Sequence, residues 1–407
     1  MLKIEGNYGE AIVYNDTVED TAREQIAILM NQKMSENSHT RIMPDVHAGA
    51  GCVIGYTAKL TDYVVPNLVG VDIGCGVTAF RLQTKNKLTQ NDLQKIDEAT
   101  RVLVPHGHDV HDVSAEDIDA VFMNWDDITS PSLEFYHSVK KVAEQTNQDI
   151  YYVMRSLGSL GGGNHFCEID IDNEGVYWLL IHSGSRNFGL KIANYHQKVA
   201  KEHTYKQEVS ELKRLYSGAV LGAKIAQIQR SDKGLEYLTG EQKSLYLEHM
   251  LIATKYANMN RLIIGNIILE ASGLIADGYV ESVHNYIDFE NGIIRKGAIS
   301  AQEKESLIIP LNMRDGAIIG VGKGNPEWNY SAPHGAGRIM SRTKAKQEFT
   351  LKDFQKTMKG IYSTSVTEDT LDESPFAYKD AKEILQYLEP TVDVIRTLKP
   401  VWNFKAS

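Results

Sequence analysis

The chain has few cysteines and no long apolar run. Cys52, Cys75 and Cys167 are the only cysteines among its 407 residues, too few and too irregularly spaced for a disulfide framework. We therefore expect a reducing compartment, the cytoplasm, where thiols stay free. No stretch approaches the ~18 apolar residues of a membrane span, and the N-terminal segment has neither the basic start nor the apolar core of a signal peptide. These absences argue against a secreted or membrane-inserted protein.

The chain also lacks an excess of positive charge. Its 43 Lys and Arg residues are outnumbered by 53 Asp and Glu residues, which gives a formal net charge of -10. Because lysine and arginine supply nonspecific affinity for phosphates, this balance argues against a protein that coats nucleic acid. It does not exclude an enzyme that grips one phosphodiester end with a local cluster of charges and a pair of metal ions.

Strand-rich and helix-rich segments alternate along the sequence. Residues 1–80 are typical of strands and turns. The spacing of apolar residues then predicts a helix from Leu88 to Val104, capped by Thr89 to Asp92 and ended by Pro105. A second helix is expected from Ser132 to about Gln145.

Two segments in the middle of the chain differ in their residue pattern. Between Tyr151 and Arg186, short apolar runs alternate with glycine clusters, and two strands are expected to bring two histidines to one place. The segment from Leu190 to Ala271 predicts two or three helices interrupted near Ser231 to Gly240. We interpret the charges of these helices as a solvated face.

The last third returns to strands and then to helices. From Val280 onward strands alternate with glycine turns, and Asn291-Gly292 predicts a hairpin. The segment from Ser341 to Leu398 is expected to be mainly helical. With 42% hydrophobic residues the chain can bury a large core, and we predict one α+β domain over residues 1–407 with a helical insertion at about 190–271.

The segment GVDIGCG, from Gly70 to Gly76, places an aspartate and a cysteine three residues apart among glycines. Cys75 has a glycine on each side, whereas Cys52 and Cys167 are typical of small buried core residues. The glycines allow positive φ angles and a close backbone approach to a bound group. We interpret Asp72 and Cys75 as candidate ligands of a divalent metal.

Thirteen histidines occur, and a single one of them is most often a satisfied or solvated imidazole. Three that lie beside small or turn-forming residues change this interpretation as a set. Together with the aspartate and the thiol they supply O, S and N donors, about right for two metals with a bridging ligand, and this mixture suits Mn, Zn, Fe or Co better than Mg. Their spread over about two hundred residues favours a catalytic centre over a local structural site. The candidate ligands are Asp72, Cys75, His165, His182 and His284.

His334 begins the segment HGAGR, which has a different character. The glycine-alanine-glycine turn after it could present backbone N–H groups to an anion, and Arg338 adds a positive charge. A neutral imidazole next to such a nest could attack phosphorus directly. It could equally be a general acid or a further metal ligand, and local chemistry leaves these three roles open.

These segments, in this order, resemble the RtcB family of RNA ligases. The similarity extends over nearly the whole chain. The matching segments are MPDVHAGAG at 43–51, VGVDIGCG at 69–76, VPHG at 104–107, LGSLGGGNHF at 157–166, HSGSR at 182–186, HNY at 284–286, RKGA at 295–298, HGAGRIMSRTKA at 334–345 and AYKD at 377–380.

The resemblance implies a single large RtcB-like α+β domain, with mixed β-sheets around a dinuclear metal site. It implies a ligase that uses GTP and two manganese ions to join an RNA 3′-phosphate or 2′,3′-cyclic phosphate to a 5′-hydroxyl. By position, His334 corresponds to the histidine that becomes guanylylated. The five candidate ligands correspond to the ligands of the two manganese ions.

Nucleotide contacts follow from the same resemblance. Tyr378 corresponds to the residue that stacks on guanine, and Lys405 to its last hydrogen-bonding partner. Asn164 and Glu168 are similar to residues that touch the phosphates and the guanine or ribose. The residues expected to line the phosphate path are Gly335, Ala336, Gly337 and Arg338.

The chain departs from the family pattern in three places. Its tail is FKAS, whereas family members often end at a glycine directly after the final lysine. EWNYSAP precedes His334 where many relatives have a Ser- or Cys-containing stretch, and the segment around His106 is acidic where basic residues are common. The resemblance implies RNA ends and GTP as partners, with an archease-like activator as a further one and no membrane. The alternative is a metal-dependent phosphoesterase that acts on RNA 2′,3′-cyclic phosphate ends without ligation.

Overall fold

The structure of the chain, a computed structural model, describes residues 1–84, 86–114, 132–229 and 234–406. The α-helices of this part are α1 (Asp20–Met30), α2 (Gln90–Leu103), α3 (Leu133–Gln145), α4 (Ile150–Arg155), α5 (Arg186–Leu215), α6 (Gly218–Gln229), α7 (Gly240–Ser272), α8 (Arg342–Glu348), α9 (Leu351–Thr357) and α10 (Ala381–Leu388). The strands are β1 (Leu2–Glu5), β2 (Glu10–Val13), β3 (Thr40–His47), β4 (Ile54–Lys59), β5 (Gly76–Gln83), β6 (Phe166–Asp172), β7 (Tyr177–Ser183), β8 (Ile275–Val283), β9 (Asn285–Asp288), β10 (Ile293–Lys296), β11 (Ala298–Ser300), β12 (Ser306–Asn312), β13 (Gly316–Gly322), β14 (Ser331–Pro333) and β15 (Val392–Lys405).

One sheet has seven strands in the order β12-β13-β15-β6-β7-β5-β8. Its neighbouring strands are antiparallel, so the start of β5 lies beside the ends of β7 and β8, with Gly76 opposite Ser183 and Val283. The start of β6 lies beside the same end of β7, with Phe166 opposite His182. Four strand ends therefore meet at one edge of the sheet.

A second sheet, with the order β1-β2-β3-β4-β10-β9, lies on the other side of this edge, and β11 pairs with β14 separately. Strand β3 contains Asp45 and ends at His47, and β14 ends one residue before His334. The side chain of Asp45 bonds to His334, so the second sheet and the short β11–β14 pair also deliver side chains to the same place.

The long helix α7 packs against β5 and β7, the strands whose ends meet there. Its residue Arg261 is fully buried and donates to the carbonyls of Gly74 (2.8 Å) and Ser183 (3.0 Å). The neighbouring Asn260 accepts from the backbone N–H of Gly158 at 2.8 Å. The prediction that the charges of this segment form a solvated face is therefore wrong for Arg261, since a buried guanidinium needs these acceptors. Helix α7 ends at Gly273, which has a left-handed φ of 66°.

Several element predictions are confirmed. Helix α2 begins after a Thr89–Asp92 capping box, and α3 begins after Ser132, whose hydroxyl accepts from the backbone of Phe135. The predicted hairpin joins β9 and β10, with Gly292 at φ 62°. The helices of the 190–271 segment are also present as α5, α6 and α7; the interruption falls partly on 230–233, outside the described residues.

Two element predictions are wrong. The first eighty residues contain a helix, α1, whose buried residues Ala22, Ile26 and Leu29 have helical spacing. The segment predicted to be helical up to Leu398 ends instead in the 14-residue strand β15, because β15 pairs on both sides, with β13 and β6.

In the described part of the chain, every helix is too short or too polar to cross a lipid bilayer.

Candidate metal centre and active site

The five candidate metal ligands lie together where the strand ends meet. Cys75 precedes β5, His165 precedes β6, His182 is near the end of β7 and His284 follows β8. Asp72 stands in the turn before Cys75, and its Oδ2 lies 3.0 Å from Nε2 of His165. Antiparallel pairing thus brings residues distant in sequence to one edge.

The donor atoms form two groups that share a sulfur. The Sγ atom of Cys75 lies 3.4 Å from Nε2 of His165 and 3.4 Å from Nε2 of His182. Donor atoms of Cys75, His182 and His284 lie within 4.8 Å of one another, as do those of Asp72, Cys75 and His165. Donors bound to one ion at ~2.0–2.3 Å lie about 3–4 Å apart, so each group fits a metal and Cys75 suits a bridge.

Burial keeps two of the nitrogen donors in their metal-binding form. It lowers the pKa of His182 and of His284 well below the usual value, and the neighbouring histidines lower both pKa values further. Burial raises the pKa of the Cys75 thiol, and the charge of Asp72 raises it further. The imidazoles of His182 and His284 are therefore neutral with lone pairs available, and a nearby cation is what would favour the thiolate.

Two glycines leave room for these ligands. A β-carbon at Gly184 would lie 2.1 Å from Oδ1 of Asp72, and one at Gly161 would lie 2.6 Å from Nδ1 of His165. Both contacts are shorter than any real carbon–heteroatom contact, so glycine is required in each segment. The same two segments, HSGSR and GGGNH, supply two of the three histidine ligands, His182 and His165.

His334 lies at the border of this cluster, with its ring centroid 4.8 Å from that of His284. Its Nδ1 bonds to Oδ2 of Asp45 at 2.6 Å, and its backbone N–H donates to the same oxygen at 3.1 Å. Asp45 is fully buried. Because a carboxylate only accepts, Nδ1 carries a proton, and in the neutral ring the lone pair is therefore on Nε2.

A cavity of about 320 Å³ opens between the metal cluster and His334. This volume lies in the range of small-molecule sites. It is lined by all of the predicted nucleotide-binding residues, by His334 and by residues of the metal cluster. Its predicted lining residues are Asn164, Glu168, Gly335, Ala336, Gly337, Arg338, Tyr378 and Lys405.

One end of the cavity is organised by a buried acid, Glu373. Its carboxylate accepts from Lys405 Nζ at 2.8 Å and from the Tyr378 hydroxyl at 2.7 Å. Arg338 bonds to it at 3.3 Å and lies over the Tyr378 ring, 5.2 Å from the centroid. Arg342 adds a further ion pair at 2.6 Å. The expected guanine-stacking tyrosine and terminal lysine are thus fixed to one carboxylate.

Lys405 reaches the cavity because β15 pairs with β6. Lys405 lies opposite Phe166 in this pairing, and its Nζ donates to the carbonyl of Asn164 at 3.3 Å. Asn403, two residues earlier, lies opposite Glu168 and donates to its carboxylate. The FKAS tail therefore does not move the lysine out of the site.

Family comparison agrees with this geometry. The model of the family described as "tRNA-splicing ligase RtcB" matches residues 29–406. The chain belongs to the RtcB family of RNA ligases.

Named relatives support the same assignment. The RNA-splicing ligase RtcB of Escherichia coli K12 is 31% identical over 386 residues, covering 89% of each chain. RtcB2 of another Escherichia coli strain is 27% identical, covering 90% of this chain and 87% of the relative. The tRNA-splicing ligase RtcB of Nanoarchaeum equitans is 27% identical, covering 86% of this chain and 83% of the relative.

Sequence reasoning missed several residues of this RtcB site. Asp45 lies within the matching segment MPDVHAGAG, and this was the available signal for it. Glu373 precedes AYKD by a few residues and Arg342 lies within HGAGRIMSRTKA, yet neither segment reveals the ion pairs they form. Asn403 had no sequence signal, because its position depends on the pairing of β15 with β6.

Proposed function

We propose that the protein is a GTP- and manganese-dependent RNA ligase that joins 3′-phosphate or 2′,3′-cyclic phosphate ends to 5′-hydroxyl ends through a histidine–GMP intermediate. One observation carries the proposal. A histidine fixed through Nδ1 to a buried aspartate, Asp45, faces a cavity beside the Asp/Cys/His cluster. His334 thereby has the form of a nucleophile held at the border of a metal centre.

The first step is nucleotidyl transfer to the protein. Nε2 of His334 attacks the α-phosphorus of GTP, a P–N bond forms, and pyrophosphate leaves. The Asp45 carboxylate stabilises the positive charge that the imidazole gains as its lone pair is used. Backbone N–H groups of the Gly335–Gly337 turn are suited to hold the phosphate oxygens.

The metal centre fits manganese by the chemistry of its donors. One carboxylate, one thiol and three imidazoles form a mixed set that Mg²⁺ does not prefer. Two bound manganese ions would neutralise phosphate charge and lower the pKa of the attacking hydroxyl. We assign Asp72, Cys75 and His165 to one ion, and Cys75, His182 and His284 to the other.

Guanine is the base that the cavity end suits. Glu168 offers carboxylate oxygens to N–H donors such as those of the guanine edge, and Lys405 offers an N–H donor to a carbonyl oxygen. Tyr378 is placed to stack, with Arg338 on its ring. Asn164 lines the cavity between the base end and the metal cluster.

The later steps transfer GMP to RNA and then release it. The RNA 3′-phosphate attacks the phosphorus of histidine–GMP, the P–N bond breaks, and an activated anhydride forms. The 5′-hydroxyl then attacks the RNA phosphorus and GMP leaves. A 2′,3′-cyclic phosphate must first be hydrolysed to the 3′-phosphate. An archease-like activator stays a proposed partner, and the need for a reduced Cys75 agrees with a cytoplasmic location.

Incubation with α-³²P-GTP and manganese tests the proposal. Wild-type protein is expected to gain a covalent label that acid removes, because phosphoramidates are acid-labile. His334→Ala is expected to gain none. The matched control is His47→Ala, which changes another histidine of the same cavity and is expected to keep the label.

The same assay separates the alternative function. Conversion of 2′,3′-cyclic phosphate ends to 3′-phosphates with no label and no joined RNA would favour the metal-dependent phosphoesterase. Labelled protein together with joined RNA would exclude it, since hydrolysis needs no nucleophilic histidine.

A further inference from the structure

Strand β6 carries a line of acids on its inner face. Alternation along the strand places Glu168, Asp170 and Asp172 on the same side as Phe166. Glu168 lines the cavity, and Asp170 lies behind it, fully buried. Three acids in a row on a buried face are unusual, because each charge needs its own partner.

Asp170 differs from the other two in having no N–H donor. Both of its side-chain oxygens are buried without a donor among the described residues. Opposite it on β15 is Pro400, which has no N–H to offer. Opposite it on β7 is Trp178, whose indole N–H is taken by Asp172 at 3.1 Å.

The carboxyl group of Glu168 lies within hydrogen-bonding reach of Asp170. A hydrogen bond between two acid groups requires that one of them keeps a proton. Burial, together with the charge of Glu168, raises the pKa of Asp170 well above its usual value. Glu168 accepts from Asn403 and is close to Lys405, and both oppose the effect of burial on its pKa, which is raised to about 7. Glu168 is therefore the member that ionises first.

We propose that Asp170 is a positioning residue that stays protonated and donates an O–H hydrogen bond to Glu168. This hydrogen bond sets the guanine specificity of the cavity. The inference rests on the proposed function. With Asn403 donating from β15 and Asp170 from β6, a carboxylate with about four acceptor positions keeps about two of them for the cavity. Two parallel N–H donors, as on the Watson–Crick edge of guanine, match that arrangement, whereas adenine presents a bare ring nitrogen there.

The charged groups near Glu168 and Asp170 form ion pairs with other residues. Lys405 is bound to Glu373 at 2.8 Å, and Asp172 is bound to Arg396 at 2.9 Å. In the same sheet, Ala317 and Ile319 of β13 belong to the apolar cluster that contains Trp178. Arg81, opposite Trp178 on β5, is paired with Asp277. Among the described residues, Asp170 has no ion pair and its oxygens have no hydrogen-bond partner, so the proton is its source of neutrality.

Equilibrium binding of GMP and AMP, measured by calorimetry from pH 6 to 9, tests the inference without requiring catalysis. Asp170→Ala removes the donor to the Glu168 anion, so the Glu168 pKa rises. GMP binding at pH 7 is expected to weaken about tenfold, the effect of one charge-assisted hydrogen bond, with its pH midpoint moved upward. AMP binding is expected to stay unchanged because AMP offers no matching pair of N–H donors.

Asp170→Asn distinguishes a donor from a merely structural residue. Its amide N–H can replace the lost O–H, so GMP binding and the pH midpoint are expected to return to near wild-type values. Asp172→Ala is the matched control on the same face of β6. It breaks the bonds to Trp178 and Arg396, so it is expected to lower the melting temperature and leave GMP selectivity intact.

Three results would overturn the inference. They are unchanged GMP binding in Asp170→Ala, an equal loss of GMP and AMP binding in that variant, and failure of Asp170→Asn to restore the pH midpoint. A wild-type protein that does not prefer GMP to AMP would instead contradict the proposed guanine site. The two failures are therefore distinguishable.

Discussion

Asp45 determines which nitrogen of His334 faces the cavity. Its buried Oδ2 accepts both from Nδ1 at 2.6 Å and from the backbone N–H at 3.1 Å. An asparagine would fit the same space but could present its N–H₂ group to Nδ1. The proton would then move to Nε2, the atom that attacks phosphorus in the proposed reaction.

We predict that Asp45→Asn slows guanylylation of His334 by about 10²- to 10⁴-fold, the cost of a wrong tautomer in a comparable catalytic histidine. GMP binding is expected to change little, because the substitution lies behind the ring. The measurement is the single-turnover rate of labelling at saturating GTP. Labelling at the wild-type rate would show that Asp45 does not set the tautomer.

The thiol of Cys75 belongs to both groups of candidate donor atoms. We predict that Cys75→Ala lowers bound manganese from about two ions per chain to at most about one and abolishes ligation, because each donor group loses the shared sulfur. Metal content by elemental analysis and folding by circular dichroism measure the two effects separately. Cys167→Ala removes an equally buried thiol from the apolar face of β6 and is expected to keep both ions. A Cys75→Ala protein that retains two ions would refute the bridging assignment.

Sequence reasoning works at this scale where chemistry is local. Glycines on both sides of Cys75 indicated a close backbone approach to a bound group. The structure adds two further glycines, Gly161 and Gly184, at which a β-carbon would strike ligand atoms. Asp45 could not be recognised by such reasoning, since an acid on a buried strand has no spacing that distinguishes it. Its role depends on a partner 289 residues away.

Elements were predictable when their ends carried local signals. Thr89 and Asp92 form a reciprocal cap, which fixed the start of α2. Helix α1 has no side-chain cap bond at Glu19, and it lies among short strand-like runs, so its 11 residues were assigned to strands and turns. Strand β15 was missed because long-range pairing, and not local pattern, holds it.

Lys296 connects three elements around the site. Its buried Nζ at the end of β10 donates to the carbonyls of Ala50 (2.6 Å), Cys52 (3.1 Å) and Asn67 (2.9 Å). These carbonyls belong to the loop after His47 and to the short turn before the metal motif. Burial lowers the pKa of Lys296, and the three acceptors compensate for the desolvation of its charge.

We predict that Lys296→Met destabilises the protein by about 3 kcal/mol or more, because it leaves three buried carbonyls without a donor. Urea unfolding monitored by circular dichroism measures the change. Lys59, exposed on the neighbouring strand β4 and paired with Ile293, supplies the control. Lys59→Met is expected to change stability by less than about 0.5 kcal/mol. Equal stability of the two variants would mean that Lys296 is not a structural anchor.

At the scale of the whole molecule, the site depends on contacts between distant parts of the chain. β15 places Asn403 and Lys405 beside β6, which precedes them by more than two hundred residues. The family resemblance predicted which residues meet, but strand order and register depend on packing that no local pattern encodes. This is why the lysine near the tail was placed by resemblance, while the bond from Asn403 to Glu168 was not anticipated.

A second group of buried histidines joins three helices away from the active site. His196 of α5 lies 3.0 Å from Nδ1 of His249 of α7, whose Nε2 bonds to Oε1 of Gln145 in α3 at 2.8 Å. Since the amide oxygen only accepts, His249 donates from Nε2 and accepts at Nδ1, and His196 donates from its own Nε2. Nδ1 of His196 is left buried without a partner among the described residues. Both rings are neutral, and neither has a nearby acceptor for a second proton.

We predict that this pair makes the fold acid-sensitive. Burial, followed by the charge of His249, lowers the pKa of His196 to about 3, while the unfolded value is near 6.5. The unfolded chain therefore binds more protons between these values, so stability is full above pH ~6.5 and falls as the pH decreases toward ~3. At pH 4.5 the loss from His196 is about 2–3 kcal/mol. Urea unfolding in EDTA at pH 7.5 and 4.5 measures the loss of stability, which should be smaller for His196→Phe than for wild type. The control His137→Gln, on the exposed face of α3, should match wild type. An unchanged loss of stability in His196→Phe would assign the acid sensitivity to other groups.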